Sequence, residues 1–178
     1  MKKMKEITAK ANKVLQNADS SIYTGKRIDI VKLAKTFGFE VGISKKLPIR
    51  EDGFIFVAPD GTKRIVVNKF RSVEDKRFTV AHELGHYFLH IEKADNLVLL
   101  REHKKDIEPT EKNFEDEADF FAACVLMPEQ VFVAEKNKLT KAGYNENEIV
   151  SKLGETFGTN RETVFKRMEE VALVQAQS

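Results

Sequence analysis

The chain has very little cysteine, no long apolar run and no excess of charge of one sign. Its 178 residues include one cysteine, Cys124, which rules out an internal disulfide and suits a reducing compartment. The basic start, residues 1–5, is not followed by an apolar stretch, and no segment approaches the length of a membrane span. We therefore expect a cytoplasmic protein without a signal peptide.

The charge balance is close to neutral, since 30 lysines and arginines stand against 28 aspartates and glutamates. This balance demands neither a nucleic acid nor a membrane as partner. Internal repeats and low-complexity tracts are also lacking. A chain of this length can bury roughly 70% of its extended surface, so a stable core needs no cross-links.

Hydrophobic periodicity predicts helices on both sides of a small sheet. Strands are expected at residues 39–43, 54–58 and 64–67, the last two joined as a hairpin through the turn at 59–62. Helices are expected at residues 5–17, 29–37, from 72 through 90, at 111–126 and over most of 129–178, with an irregular connector at 92–110. We therefore expect an α+β protein in which an antiparallel sheet of about three strands packs on a helical core.

The most informative motif is His82-Glu83-Leu84-Gly85-His86, in a chain that has only four histidines. Four residues advance a helix by about 400°, so His82 and His86 project from one face and can bind one zinc ion. Glu83 lies about 100° round the helix, in reach of a metal-activated water. The spacing predicts two metal ligands and one general base.

A third ligand is expected from the predicted helix at 111–126, because catalytic zinc sites usually have three protein ligands. On a helical wheel Glu115 and Asp119 share one face with two alanines, Ala118 and Ala122, that allow close helix packing. Glu117 points nearly the opposite way. We predict Glu115 as the ligand and Asp119 as the acceptor for the free ring N–H of His82. The alternatives are a solvated acidic face, or Glu117 or an outside residue as ligand.

These segments resemble the ImmA/IrrE family of metallopeptidases. The resemblance covers about residues 28–170 and is carried by three segments: 65–68, 77–90 and 115–128. The last of them begins with Glu115 and ends in Met127-Pro128. The resemblance implies zinc dependence, intracellular proteolysis and, often, cleavage of a helix-turn-helix repressor. We expect a zincin-like domain at 1–127 and a helical region at 128–178.

Two residues near the motif are further candidates for the cleft. On a straight helix His90 would lie about 12 Å along the axis from His82, too far to share one ion. We expect it to be packed or hydrogen-bonded near the cleft, with a substrate-contacting role as the alternative. Tyr87 and Tyr144 are both candidate oxyanion donors, and the spacing selects neither. His103, in the connector, is expected to be solvated, with an electrophilic role as the alternative.

Residues 149–168 look like a helix-turn-helix unit centred on residues 157–160. Its cations Arg161, Lys166 and Arg167 are candidate phosphate contacts, yet several glutamates lie among them. Because the whole chain lacks the basic excess usual for DNA binding, we favour packing or substrate docking over DNA binding.

The sequence thus favours a zinc endopeptidase in which Glu83 is the general base for a metal-activated water. Mn²⁺ and Fe²⁺ remain alternatives to Zn²⁺, because imidazole and carboxylate ligands accept several metals. The substrate expected is a specific intracellular protein such as a helix-turn-helix repressor. The alternatives are a non-catalytic regulator that binds DNA or a partner protein, and the toxin of a toxin–antitoxin pair. Binding alone would not need Glu83.

Overall fold

A computed structural model describes residues 2–91 and 109–175, and confirms the α+β class. Seven helices follow in chain order: α1 (Lys2–Gln16), α2 (Ile30–Thr36), α3 (Val73–His86), α4 (Pro109–Leu126), α5 (Glu129–Lys141), α6 (Glu146–Phe157) and α7 (Arg161–Gln175). Five strands accompany them: β1 (Tyr23–Thr24), β2 (Arg27–Ile28), β3 (Phe39–Ser44), β4 (Gly53–Val57) and β5 (Lys63–Asn68). Of the predicted connector, residues 92–108 with His103 lie outside the described residues.

The main sheet has the predicted three strands, but it is mixed rather than wholly antiparallel. β4 and β5 form the expected antiparallel hairpin, in which Ile55 is opposite Ile65. β5 also pairs in parallel with β3, which gives the order β3-β5-β4. β4 therefore lies on the far side of β5 from β3, and β5 is the central strand of the sheet. Alternation in the sequence predicts a strand but not its partner, which explains the error.

Helix α3, which carries His82 and His86, begins as predicted and ends differently. The Ser72 hydroxyl accepts a hydrogen bond from the Asp75 backbone N–H at 3.0 Å, which satisfies a free donor of the first turn. After His86 the helix widens into a π turn at Tyr87–Ile91. The prediction of one straight helix through His90 was therefore wrong. Such turns are often found at functional sites, and this one contains His90.

The C-terminal helices break where the sequence predicts. Pro128 precedes α5, and Asn145 caps α6 in a reciprocal capping box with Glu148. α6 ends at Gly158, whose φ of 64° lies in the left-handed region that glycine adopts without strain. The expected pair of helices around residues 157–160 is therefore present as α6 and α7.

Polar contacts connect the C-terminal helices to the first turns of α3. Arg77 of α3 donates hydrogen bonds to the backbone carbonyls of Gly158, at 2.9 Å, and of Phe157 and Ile28. Asn160 donates to Asp75 at 2.9 Å. The hydrophobic core also contains side chains from both sides of residue 127, including Phe121 and Phe132. The division into regions 1–127 and 128–178 stays a prediction.

No helix in the described part of the chain has the length and apolar character needed to cross a membrane. α1 is instead an amphipathic helix, with one apolar face that packs on the core. Its buried residues Ile7, Ala11, Val14 and Leu15 follow the predicted helical spacing and pack toward α4.

Candidate metal centre

α3 places the two motif histidines side by side in the interior. His82 is 8% exposed and His86 is 2% exposed, and their Nε2 atoms lie 2.9 Å apart. The spacing of one helical turn accounts for this arrangement, because residues i and i+4 lie on one face. Two imidazole nitrogens therefore point to a common position.

α4 brings Glu115 to the same position. One carboxylate oxygen lies 3.2 Å from His82 Nε2, and the other lies 3.1 Å from His86 Nε2. One ligand atom of each of these three residues lies within 4.8 Å of the others. We call His82, His86 and Glu115 the metal trio. The structure thus brings together the three residues that the sequence predicts as ligands.

The donor set of the metal trio fits a divalent ion. Three atoms that bind a tetrahedral zinc ion at about 2.0–2.1 Å stand about 3.3 Å apart. The separations of 2.9, 3.1 and 3.2 Å are shorter by a few tenths of an ångström. Two imidazoles and one carboxylate are also a common ligand set of catalytic zinc. A small opening of the cluster would admit the ion.

The carboxyl group of Glu115 is held in its ionised form. Burial alone would raise its pKa, but hydrogen bonds and charge from His82 and His86 outweigh that effect and lower the pKa strongly. An ionised carboxylate is the form that binds a cation. The electrostatics of the cluster therefore favour a ligand role for Glu115.

Asp119 contacts the metal trio through the Nδ1 edge of the His82 ring. Its Oδ1 lies 2.9 Å from His82 Nδ1, on the edge of the ring opposite Nε2. A carboxylate there accepts a hydrogen bond from Nδ1–H, which favours the tautomer whose Nε2 carries the lone pair that a metal binds. The structure places Asp119 where the sequence predicts it, one helical turn after Glu115.

The close approach of α3 and α4 depends on small residues at their contact. A Cβ atom added at Gly85 would lie 3.0 Å from Ala118 Cα and 3.1 Å from the Ala118 carbonyl oxygen. Both are backbone contacts, so a side chain at position 85 would push α4 away. Because Ala118 is one turn beyond Glu115, this contact sets the distance from Glu115 to the histidines.

Glu83, the predicted general base, lies within the same buried segment and is 3% exposed. It follows His82 directly on α3. A carboxylate removed from bulk water exchanges protons mainly with groups that enter the site. The placement is compatible with the predicted role.

His90 lies beside the metal trio but does not belong to it. Its ring centroid is 5.9 Å from that of His86 and 4.4 Å from that of Phe114. Its Nε2 is 3.8 Å from Glu117 Oε2. Burial, followed by the neighbouring His86, lowers the pKa of His90. The structure thus places His90 in a packed position near the cleft.

Tyr87 lies against the sheet rather than with the metal trio. Its hydroxyl is 2.7 Å from Lys63 Nζ, and its ring makes an edge contact with Phe39 at 5.0 Å. This placement argues against Tyr87 as the oxyanion donor. One step along a helix turns a side chain by about 100°, so Tyr87 does not share the face of His86.

α7 contains neighbours of the site that the sequence interpretation missed. Lys166 Nζ is 4.0 Å from Asp119 Oδ2, and Glu170 lies in the same region. Arg167 is 2% exposed and donates hydrogen bonds to the Met127 carbonyl and the Cys124 sulfur. It is therefore not available to phosphate, contrary to the candidate role considered above. The approach of α7 to α4 is long-range, and no local pattern marks it.

Comparison with known proteins agrees with the geometry. The solved structure of a Mycobacterium tuberculosis transcriptional regulator is similar in fold, with a TM-score of 0.56 and 18% identity over 89% of this chain. The chain spans 45% of the length of that regulator. No curated protein matches the sequence. Residues 34–169, however, match the model of the peptidase family M78, described as the IrrE N-terminal-like domain. The chain belongs to this family.

Proposed function

We propose that the protein is a zinc-dependent endopeptidase that cleaves a specific intracellular protein. The observation that carries this proposal is the convergence of His82, His86 and Glu115 next to the buried Glu83. Membership of a peptidase family supports it. The ligand set favours zinc. Metal analysis of the purified protein distinguishes zinc from the alternatives Mn²⁺ and Fe²⁺.

The roles of the residues follow from their positions. A bound zinc ion would supply a Lewis acid that polarises the substrate carbonyl and makes water acidic near neutral pH. Glu83 accepts a proton from the attacking water and delivers it to the leaving amine. Asp119 holds His82 in the tautomer that leaves Nε2 free to bind metal.

The substrate that we propose is a helix-turn-helix repressor. Support comes from the resemblance to the ImmA/IrrE family, whose members often cleave such repressors. The similar solved structure is that of a transcriptional regulator, but at 18% identity it informs on the fold only. The repressor is therefore the more specific part of the proposal and is tested separately.

The test is cleavage of proteins in an extract of the cells that express the chain. New protein N-termini are labelled and identified by mass spectrometry after incubation with the zinc-loaded protein, the chelated protein or the zinc-loaded Glu83→Gln variant. We expect a small set of new N-termini with the zinc-loaded protein alone. Metal content measured in parallel shows that Glu83→Gln still binds zinc.

Two outcomes would contradict the proposal at different levels. If the zinc-loaded protein and Glu83→Gln give the same N-termini, the chain is not a peptidase on these proteins. If cleavage depends on zinc and Glu83 but no cleaved protein is a helix-turn-helix repressor, the peptidase proposal stands and the repressor proposal is wrong.

A further inference from the structure

A cavity of about 220 Å³ lies beside the metal trio, between α3, α4 and α7. It shares one wall with the site, because Asp119 lines the cavity and also lies 2.9 Å from His82 Nδ1. The cavity therefore begins on the side of the His82 ring that faces away from the metal position. Pockets for whole small ligands usually measure about 300–1,000 Å³. This one has room for a single side chain.

Part of the cavity wall is apolar. Phe78 of α3 and Phe120 and Ala123 of α4 contribute to its lining. The ring centroid of Phe78 is 6.2 Å from that of His82, so the apolar wall extends to the metal trio. Aromatic and methyl surfaces suit the hydrocarbon part of a side chain.

The charged groups in the wall are mostly negative. Asp116, Asp119 and Glu170 are carboxylates, and Lys166 is the one ammonium group among the residues that line the cavity. The Lys166 side chain is 56% exposed and lies 3.4 Å from the exposed Glu162 as well as 4.0 Å from Asp119. Lys166 therefore lies at the solvent-exposed edge of the cavity.

One further cation, Arg167, lies next to the cavity without lining it. Its guanidinium is 3.3 Å from Glu170 Oε2, and its side chain is 2% exposed. Burial raises the pKa of Glu170 to about 7, although Arg167 opposes the rise. A carboxyl group with such a pKa gains most from a new cationic neighbour above neutral pH.

We propose that this cavity binds the side chain of a lysine or arginine in the substrate protein, close to the scissile bond. The aliphatic part of that side chain packs on Phe78 and Phe120, and its cationic end meets Asp116 and Glu170. Identification of the occupant as substrate rests on the peptidase function proposed above. α7, which the sequence presents as half of a helix-turn-helix unit, then forms part of a substrate subsite.

The first test measures binding without catalysis. N-acetyl-L-arginine N-methylamide is titrated at pH 8 into the ¹⁵N-labelled full chain, in metal-free and zinc-loaded forms, and amide signals are followed by NMR. N-acetyl-L-norleucine N-methylamide serves as the uncharged probe. We expect saturable shifts centred on Phe120 and Thr163, and affinity at least about tenfold higher for the arginine probe. Equal affinity for both probes would overturn the proposal.

Substitutions in the cavity wall test where the arginine probe binds. Glu170→Gln and Asp116→Asn should each lower the affinity for the arginine probe by about threefold to tenfold, and should leave the affinity for the norleucine probe unchanged. Glu169→Gln, an exposed neighbour of Glu170 outside the lining, is the matched control and should change neither. Asp116 is exposed, so its variant keeps the test valid if Glu170→Gln fails to fold. Unchanged arginine binding in Asp116→Asn and in a folded Glu170→Gln would exclude the cavity as the site.

The second test uses the cleavage experiment of the preceding section. Basic residues should be enriched at one fixed position within about three residues of the new N-termini, and Glu170→Gln should reduce that enrichment. Cleavage without such enrichment would contradict the subsite. If no cleavage occurs but the arginine probe still binds at the cavity, the peptidase function fails while a cation-binding cavity remains.

Discussion

Two groups of histidine and carboxylate lie next to each other between α3 and α4, and in only one of them do three candidate metal ligands converge. In the metal trio, two imidazole Nε2 atoms and one carboxylate converge within hydrogen-bond distances of 2.9–3.2 Å. In the second group, which we call the His90–Glu117 pair, one imidazole faces one carboxylate at 3.8 Å. In the sequence, His90 follows His86 at the same spacing of four residues that separates His86 from His82.

The cause of the difference lies in what surrounds each group. Lys3 of α1 places its ammonium 3.2 Å from Glu117, so a cation of the protein already neutralises that carboxylate. His90 sits in the π turn rather than in α3, and its ring packs against Phe114. Ligand-type residues form a metal site only where several free lone pairs meet.

The largest effect is expected from removing the carboxylate of the metal trio. Glu115→Gln should lower zinc affinity by more than about a hundredfold, because loss of a direct ligand exceeds the tenfold to hundredfold cost of losing a residue behind it. Competition with a chromophoric chelator measures the affinity. Glu117→Gln is the matched control and should change it less than about threefold. A larger loss in Glu117→Gln than in Glu115→Gln would reverse the assignment of the two groups.

The next effect concerns the residue that orients His82. Asp119→Asn should lower zinc affinity by about tenfold to hundredfold, because an amide accepts the Nδ1–H hydrogen bond less strongly and loses the charge. The same chelator competition measures it. Asp116→Asn, on the same helix but without that contact, should leave zinc affinity unchanged. Equal affinities for Asp119→Asn and the unchanged protein would show that Asp119 has no influence on the metal.

A smaller effect tests the contact between α3 and α4 at Gly85 and Ala118. Gly85→Ala should destabilise the metal-free protein by about 1–2 kcal/mol, since the cost of crowding Ala118 exceeds the gain in helix propensity. Zinc affinity should fall as well, because α4 carries Glu115. Urea unfolding with and without zinc measures both. A stabilised Gly85→Ala variant would mean that α4 shifts at no cost.

Glu170 shows what happens to a buried carboxyl group that has an arginine instead of two histidines. Its pKa of about 7 in the folded protein exceeds the ordinary 4.5, so the folded state binds the proton more tightly than the unfolded state. The resulting stability is present below about pH 4.5 and is lost as the pH rises through 7. Metal-free protein should therefore lose about 2–3 kcal/mol more stability between pH 5 and pH 8 than Glu170→Gln does. Urea unfolding at both values is the measurement, and equal losses would contradict the raised pKa.

The sequence predicts the metal trio better than its surroundings, for a physical reason. His82 and His86 lie on one helix, and their spacing fixes their relation without knowledge of the fold. Glu115 and Asp119 required only a second helix and the small residues at Gly85 and Ala118. The helices and the β4–β5 hairpin follow from local periodicity and turn residues in the same way.

Long-range contacts account for what the sequence could not predict. The parallel pairing of β3 with β5 depends on the path of the chain, which no local pattern records. The burial of Arg167 depends on the approach of α7 to α4, forty residues away in sequence, where it contacts Met127 and Cys124. The salt bridge of Glu117 with Lys3 likewise depends on α1. A single sequence shows which residues could bind a metal or form an ion pair. Long-range packing determines which of these residues come into contact.

The smallest effect is expected for the histidine of the second group. His90→Gln should change zinc affinity less than about twofold, because His90 contacts Phe114 and Glu117 and its ring centroid lies 5.9 Å from that of His86. It should lower stability by up to about 1 kcal/mol through lost ring packing. Chelator competition and urea unfolding separate the two readouts. A tenfold loss of zinc affinity at unchanged stability would instead make His90 a part of the metal centre, and the distinction between the two groups would fail.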